Sequence, residues 1–430
     1  MKNITLKFSI LVVLLFAISQ IQLHAQNKRL KLKLDETGKT YIKASVRAQF
    51  WARFTENNPG TTINNEPVTN TFDVSVRRLR MGIFAQLTPK LYVFSLFGGN
   101  NINQKSEKDF QFEVLDLYAE YEFAPQFALG IGESGWEGLS RWNVRSSKSL
   151  MTLDAPLFSL LTVNKNDDIA RGLGIWTKGQ IGKFDYTFAV KDPVIYGVNA
   201  SEGKVDFAKN KPRKRTSGYV KYEFLDNESN KSPYSGKQGT YIGKKQIFNI
   251  GAGFMVQPKM TSQLINGEET YYDFKNWAVD LFYDVPVNKV KGTSITSYLG
   301  YFNTDFGPNY IRNVGANDFT SGGTSFNGSG NDFPMMGTGE TVFFQLGYAF
   351  PSNKLNSKLQ PNVMVQYSDF DALTDKMMVY DIGMNCFFKG HSNKLSFSYQ
   401  NRPIFETLNT QIIENERKGM WVLQYQISIN

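Results

Sequence analysis

The chain has 430 residues, a formal net charge of +9, one Cys and two His. A lone Cys386 excludes an intrachain disulfide or a thiolate metal cluster, and two His leave little for His-based catalysis. Aromatic residues reach 14% although the mean hydropathy is −0.34, a balance that suits strands with one face in lipid and the other in water.

Residues 1–25 read as a secretory signal peptide. Lys2 and Lys7 make a positive start, Phe8–Ile18 is mostly apolar, and Leu23-His24-Ala25 is a small-residue cleavage site. The apolar stretch is too short for an ordinary membrane-spanning helix. Cleavage there lowers the charge to about +7, a basic balance that favours anionic partners. Export makes nucleic acid the least fitting of them. Residues 26–40 are expected to form an N-terminal periplasmic segment.

From residue 41 the side chains alternate with a period of two, the signature of half-buried strands. In 41–53, Ile42, Ala44, Val46, Ala48, Phe50 and Ala52 share one face, and Lys43, Ser45, Arg47, Gln49 and Arg53 the other. In 74–87, Leu79, Met81, Ile83, Ala85 and Leu87 oppose Arg78, Arg80, Gly82, Phe84 and Gln86. In 112–123, Leu115, Leu117, Ala119, Tyr121 and Phe123 oppose Asp116, Tyr118 and Glu120. Further segments are expected at 90–99, 126–132, 171–179, 183–191, 213–224, 246–257, 275–284 and 293–303, then at 339–350, 361–368, 377–388, 394–400 and 420–430. Trp277 and Trp421 begin outward stripes that Tyr283, Tyr348 and Phe350 end, as interfacial aromatic girdles require.

Sixteen segments are an even number, and their connections alternate between long and short, as in bacterial outer-membrane barrels. Long loops fall at 54–73, 100–111, 133–170 and 304–338. Short turns fall at 88–90, 124–126, 180–183 and 389–394. Residues 225–245 break the rule, being long where a periplasmic turn is due, and the outer loop DFDALTDK is short. A soluble sandwich also alternates, but its loop rhythm would be accidental. The expected fold is therefore all-β: a 16-stranded antiparallel transmembrane β-barrel over 41–430, with the 133–170 loop as the candidate for folding inward.

On that fold Arg78 and Arg80 point into a water-filled lumen. An Arg on the lipid face at mid-depth would cost about 2–4 kcal/mol. Arginine forks match the oxygens of anions in a planar, bidentate way. The candidate anion-binding lining is Arg47, Arg53, Arg78 and Arg80 on the first two strands, with Arg141, Arg145 and Lys148 on the inward loop. The plain alternative is that these arginines only set a transverse field against an opposing acidic wall, Asp116 and Glu120.

Other features have bland readings. KNKPRKR (209–215) falls at the outer end of a strand and suits lipopolysaccharide or solvent contact, or a funnel that gathers anions. Asp318 and Asp332 lie in a Gly/Asn/Ser-rich loop whose spacing matches no EF-hand. His391 sits in a periplasmic turn, far from any nucleophile an outer-membrane lipase would need. No enzyme activity, cofactor or metal is expected.

VRRLRMGIFAQLTPKLYVFSLFGG (76–99) resembles the Arg-rich second strand and following hairpin of the phosphate-selective porin (porin O and P) family. VLDLYAEYEFAPQFALGIGE (114–133), DIARGLGIWTKGQIGKFDYTFAV (168–190), WAVDLFYD (277–284) and DIGMNCFFKGHSNKLSFSYQNRP (381–403) keep that family's order. The resemblance covers most of the chain after the signal peptide. It implies a 16-stranded outer-membrane porin, a homotrimer, with its third loop in the pore and phosphate or polyphosphate among its solutes. Lysines that would form an anion-gathering entrance are not matched residue by residue. The chain ends Ile429-Asn430 rather than in Phe, so Tyr425, Ile427 and Ile429 are expected to present the assembly signal. Two functions stand at this stage: a passive diffusion channel for small hydrophilic solutes with anions favoured, or a structural or adhesive barrel with a plugged pore and partner-binding outer loops.

Overall fold

The computed structural model describes residues 30–105, 112–143, 146–163, 171–196, 198–234, 236–353 and 355–429. The signal peptide lies outside the described residues. Sixteen strands form one antiparallel sheet. They are β1 (Tyr41–Glu56), β2 (Asn70–Gln86), β3 (Leu91–Ile102), β4 (Glu113–Ala124), β5 (Phe127–Ser134), β6 (Gly172–Ile181), β7 (Phe184–Lys191) and β8 (Arg215–Glu223). They continue as β9 (Ile247–Ile265), β10 (Glu268–Asn288), β11 (Thr293–Asp305), β12 (Gly339–Ser352), β13 (Ser357–Phe370), β14 (Met377–Phe387), β15 (Asn393–Leu408) and β16 (Gln411–Ile429). Each pairs with its sequence neighbour, and β1 pairs with β16 from Val46↔Ile429 to Thr55↔Met420. The sheet is thus closed and has no free edge, the condition for spanning lipid with strands. A short strand, Lys31–Lys33, pairs with Tyr41–Lys43 of β1, continuing the ladder just beyond the end of β16.

The alternation works as the sequence demands. Trp277, Val279 and Tyr283 are exposed on the outer face of β10, while Asn276, Asp280 and Asp284 are buried inside. Met81 and Ile83 are exposed outward on β2, and Arg78 and Arg80 are buried inward. Two of the sheet's register slips change the facing near the arginines of β2, because an extra residue shifts every later side chain to the other side. The register slips between Gln49 and Phe50, opposite Arg77, so Arg77 and Arg78 both point inward. It slips again between Leu96 and Phe97, and Leu115 is turned inside and fully buried. The sequence expectation had Leu115 on the lipid face.

The outer hairpins are longer than expected. β9 and β10 continue through 258–274 to a two-residue turn at Asn266-Gly267, both at positive φ (53° and 81°). This is the turn geometry that Asn-Gly favours. β15 and β16 likewise meet at Asn409-Thr410 (48° and 72°). With 19 and 21 residues, β9 and β10 far exceed the roughly 9–11 residues that cross a bilayer, so they stand as a wall above the membrane.

Among the described residues, three connections matter most for the lumen. L3 (135–171) enters over the glycines of the wall: Gly138 N–H donates to Ser217 Oγ at 3.0 Å, and a Cβ on Gly253 would lie 2.5 Å from Leu139 O. It then runs past β16, where Gln426 Nε2 donates to Lys148 O at 2.9 Å. Next comes β15, where Lys394 Nζ donates to Leu150 O at 2.9 Å, and then β14, where Asn385 Nδ2 donates to Met151 O at 2.8 Å. L6 (306–338) folds down from the outer mouth, and its Ser321–Gly322 pairs with Thr61–Thr62 of the first outer loop. The third is T4 (224–246), the long connection that broke the loop rhythm. It rises from the periplasmic end: Tyr241 N–H donates to Asp284 at 2.9 Å and Thr240 O contacts His391 Nε2 at 2.8 Å. Trp142, Leu157, Phe158 and Leu161 of L3 pack with Phe282, Tyr298, Phe302 and Phe343 of the wall in one apolar cluster.

Candidate functional site

The inner faces of β1, β2 and β3 meet L3 and T4 around a cavity of about 120 Å³. Among the described residues five cations line it, Arg47, Arg78, Arg80, Lys148 and Arg171, and no carboxylate does. Gly82, on the inner face between Arg80 and Phe84, keeps the wall low there; a Cβ would sit 3.0 Å from Ser45 Oγ and 3.1 Å from the Phe84 ring.

The cations divide by partner. Arg77 and Arg78 both bind Asp154 of L3, Arg77 Nη2 at 3.1 Å. Arg78 Nη1 also donates to Gln49 Oε1 at 3.0 Å. Arg171 Nε donates to Asp116 Oδ2 at 2.8 Å. Arg47, Arg80 and Lys148 have no carboxylate within ion-pair distance among the described residues. Arg47 Nη1 and Nη2 donate to the hydroxyls of Ser146 (3.2 Å) and Ser147 (2.9 Å), and its Nε is buried without a partner. Arg80 Nη1 donates to the carbonyls of Leu79 (2.7 Å) and Gly99 (2.8 Å), and Nη2 to Asn100. Burial pushes the Lys148 ammonium down to about 8, and repulsion from Arg47, Lys43 and Lys244 adds to the effect. A group that resists its own charge in this way gains most from an anion.

Two of the expected cations stand elsewhere. Arg53 lies higher on β1, where Nε donates to Asp73 at 2.8 Å and Nη1 and Nη2 to the L6 carbonyls of Ala316 (2.6 Å) and Asn317 (2.9 Å). It latches L6 to the wall. Arg141 faces the other half of the lumen, stacked 3.6 Å over Phe282 and gripped by Glu228 of T4 at 2.5 and 2.7 Å. Arg145 lies outside the described residues.

Asp116 and Glu120 do not oppose the arginines of β1 and β2. They sit two strands on, each with its own partners. Asp116 accepts from Arg171 and from Tyr234 OH at 2.7 Å; Glu120 pairs with Lys178 at 2.8 Å. The counter-ion of Arg77 and Arg78 is Asp154, which the sequence reading did not single out. Arg77, Arg171 and Asp154 were missed. Adjacent arginines inside a strand were a signal for Arg77, because only a bulge spares one of them the lipid. Nothing local marks Arg171 or Asp154, whose positions follow from how L3 lies across the lumen.

No protein-family model matches the chain, and no curated protein matches it. Solved structures do. The anion-selective porin from Comamonas acidovorans superposes with a TM-score of 0.53 at 11% identity, over 90% of this chain and 99% of that one. OmpF of Salmonella typhi, in complex with daunomycin, gives 0.52 at 10% identity, over 91% and 98%. A trimer form of Vibrio cholerae OmpT gives 0.50 at 8% identity, over 90% and 98%. At these identities the likeness shows the fold. The closed barrel, its apolar outer face and these neighbours give the chain the fold of the bacterial outer-membrane porins. They do not single out the phosphate-selective porins.

Proposed function

We propose that the protein is a passive outer-membrane channel for small hydrophilic solutes that favours anions, phosphate or polyphosphate among them. The observation that carries this reading is the cavity whose described lining holds five cations and no carboxylate. Arg47, Arg80 and Lys148 supply the unsatisfied positive charge, and rings or ladders of such groups select anions in pores. Arg78, half-neutralised by Asp154, orients the approach. Arg53 and Arg141 serve the structure of L6 and L3 instead. The porin neighbour in trimer form supports a homotrimer here, and the basic stretch at 209–215 supports lipopolysaccharide contact at the outer rim. No step of catalysis is proposed.

The test is the zero-current potential of the purified protein in a planar bilayer under a KCl gradient, repeated with added phosphate. A chloride-leaning potential that weakens in Arg47→Ala and Arg80→Ala supports the reading. A cation-leaning potential in the wild type overturns it.

A second reading has its own observation. L3, L6 and T4 enter the lumen, and the apolar cluster around Phe158 packs L3 and L6 against the wall. A barrel plugged in this way would be structural or adhesive, with its outer loops binding a partner. Absence of conductance from heat-modifiable, folded protein would favour that reading.

A further inference from the structure

The cavity is not purely basic. Phe84, Phe94, Leu96, Leu157 and Tyr234 line it together with the cations. The Phe84 and Phe94 rings lie 4.8 Å apart, and Phe94 lies 5.4 Å from Tyr234. Phe84 is only half-buried, so its ring remains available to the cavity. It comes two residues after Gly82, on the same inner face as Arg80.

A small inorganic anion gains nothing from such a wall. The faces of aromatic rings carry negative potential, and removing water from an anion beside apolar groups costs free energy unless its oxygens are bonded. Arg47, Arg80 and Lys148 can supply those bonds. The aromatic side then helps only if the solute brings apolar surface of its own. Offset or edge-on contact between rings adds to burial. The enclosed space, about 120 Å³, is somewhat below the roughly 150 Å³ that takes a whole benzene ring, but the cavity is only partly closed, so a ring can seat in it with part of the solute outside.

We infer that the cavity binds organic anions that carry a ring, a phosphate ester or carboxylate on a six-membered ring, in preference to bare inorganic phosphate. The acidic group lies toward Arg47, Arg80 and Lys148, and the ring lies against Phe84 and Leu96. This rests on the anion-channel reading and narrows it to a class of solute.

The experiment compares block of ion current through the reconstituted full-length protein by phenyl phosphate and by inorganic phosphate. Phenyl phosphate is expected to half-block at a concentration about fivefold or more below that of inorganic phosphate, the worth of one good aromatic contact. Phe84→Ala is expected to bring the two concentrations together, and Phe84→Leu to leave an intermediate ratio. The wild-type comparison stands even if a variant fails to assemble. Equal block by both compounds overturns the inference and leaves the anion channel intact. So does an anion-leaning potential without block by either. A cation-leaning wild-type pore overturns both.

Discussion

Asp154 is the point at which the inward loop is pinned to the arginine wall, so Asp154→Asn is the most informative single change. Its carboxylate takes Arg77 Nη2 at 3.1 and 3.2 Å and also binds Arg78, with the side chain only 15% exposed. Burial alone would raise its pKa; the two guanidiniums outweigh that and hold it at about 2. One pH unit is worth about 1.4 kcal/mol, so ionisation favours the seated loop by roughly 2 kcal/mol. The folded value is depressed, so this contribution is complete above the ordinary Asp range and disappears as pH falls from about 4 through about 2. Acidifying the wild type across that window should loosen L3 and raise the fluctuation of single-channel current. The Asn variant should fluctuate at neutral pH and change little on acidification. It also removes the carboxylate that the Arg77 and Arg78 guanidiniums share, the kind of loss that costs about 3–5 kcal/mol. Removing one negative charge from the pore wall should raise anion preference roughly twofold in low salt. A variant matching the wild type in noise, selectivity and acid response would refute the assignment of Asp154 as the pin.

Three further outcomes are expected. Glu228, fully buried, holds Arg141 at 2.5 Å, Lys221 at 2.8 Å and Asn249 at 2.7 Å. Glu228→Gln should weaken the joint between T4 and L3 by about 3–5 kcal/mol and speed proteolytic cleavage within 225–245 of folded protein. Gly253→Val would place a Cβ 2.5 Å from Leu139 O and 2.6 Å from Gly218 O. It should displace the start of L3 and lower the temperature at which the folded band is lost in a heat-modifiability gel, while Gly182→Ala, with no atom within 4 Å of its added Cβ, brings only the backbone strain of its positive φ (61°) and should lower it less. Tyr425 pairs with Phe50 across the closing seam of β1 and β16, and Tyr425→Ala should lower the fraction of chains that assemble.

The barrel was legible in the sequence because alternation is a local property. Each strand writes its own pattern of lipid and lumen, as Trp277, Val279 and Tyr283 against Asn276 and Asp280 do, and closure only requires that the patterns be consecutive and even in number. What local reading loses is any event that adds a residue. The bulge at Arg77 and the slip before Phe97 reverse the facing without breaking the strand, which is why Arg77 and Leu115 are found inside. The long outer hairpins were missed for a different reason: above the membrane the outer face no longer needs oil, so the contrast fades while the ladder continues to Asn266-Gly267.

The site was half legible, and the division follows its physics. That arginines on β1 and β2 face inward is a matter of parity, readable from Arg47, Arg78 and Arg80. Which of them stay available to a solute is a matter of who else enters the lumen. Asp154 arrives from L3 and takes Arg77 and Arg78; Asp116, at a distance of two strands, is taken by Arg171. Arg47 and Arg80 are left with hydroxyls, amides and carbonyls, partners that satisfy hydrogen-bond geometry without cancelling charge. The loop that narrows the pore therefore also sorts the arginines. It neutralises those that hold it in place and leaves charged those beside the gap. On the proposed anion-channel reading, selectivity depends on the path of L3 as much as on the number of arginines, and moving Asp154 should change it even though no arginine is touched.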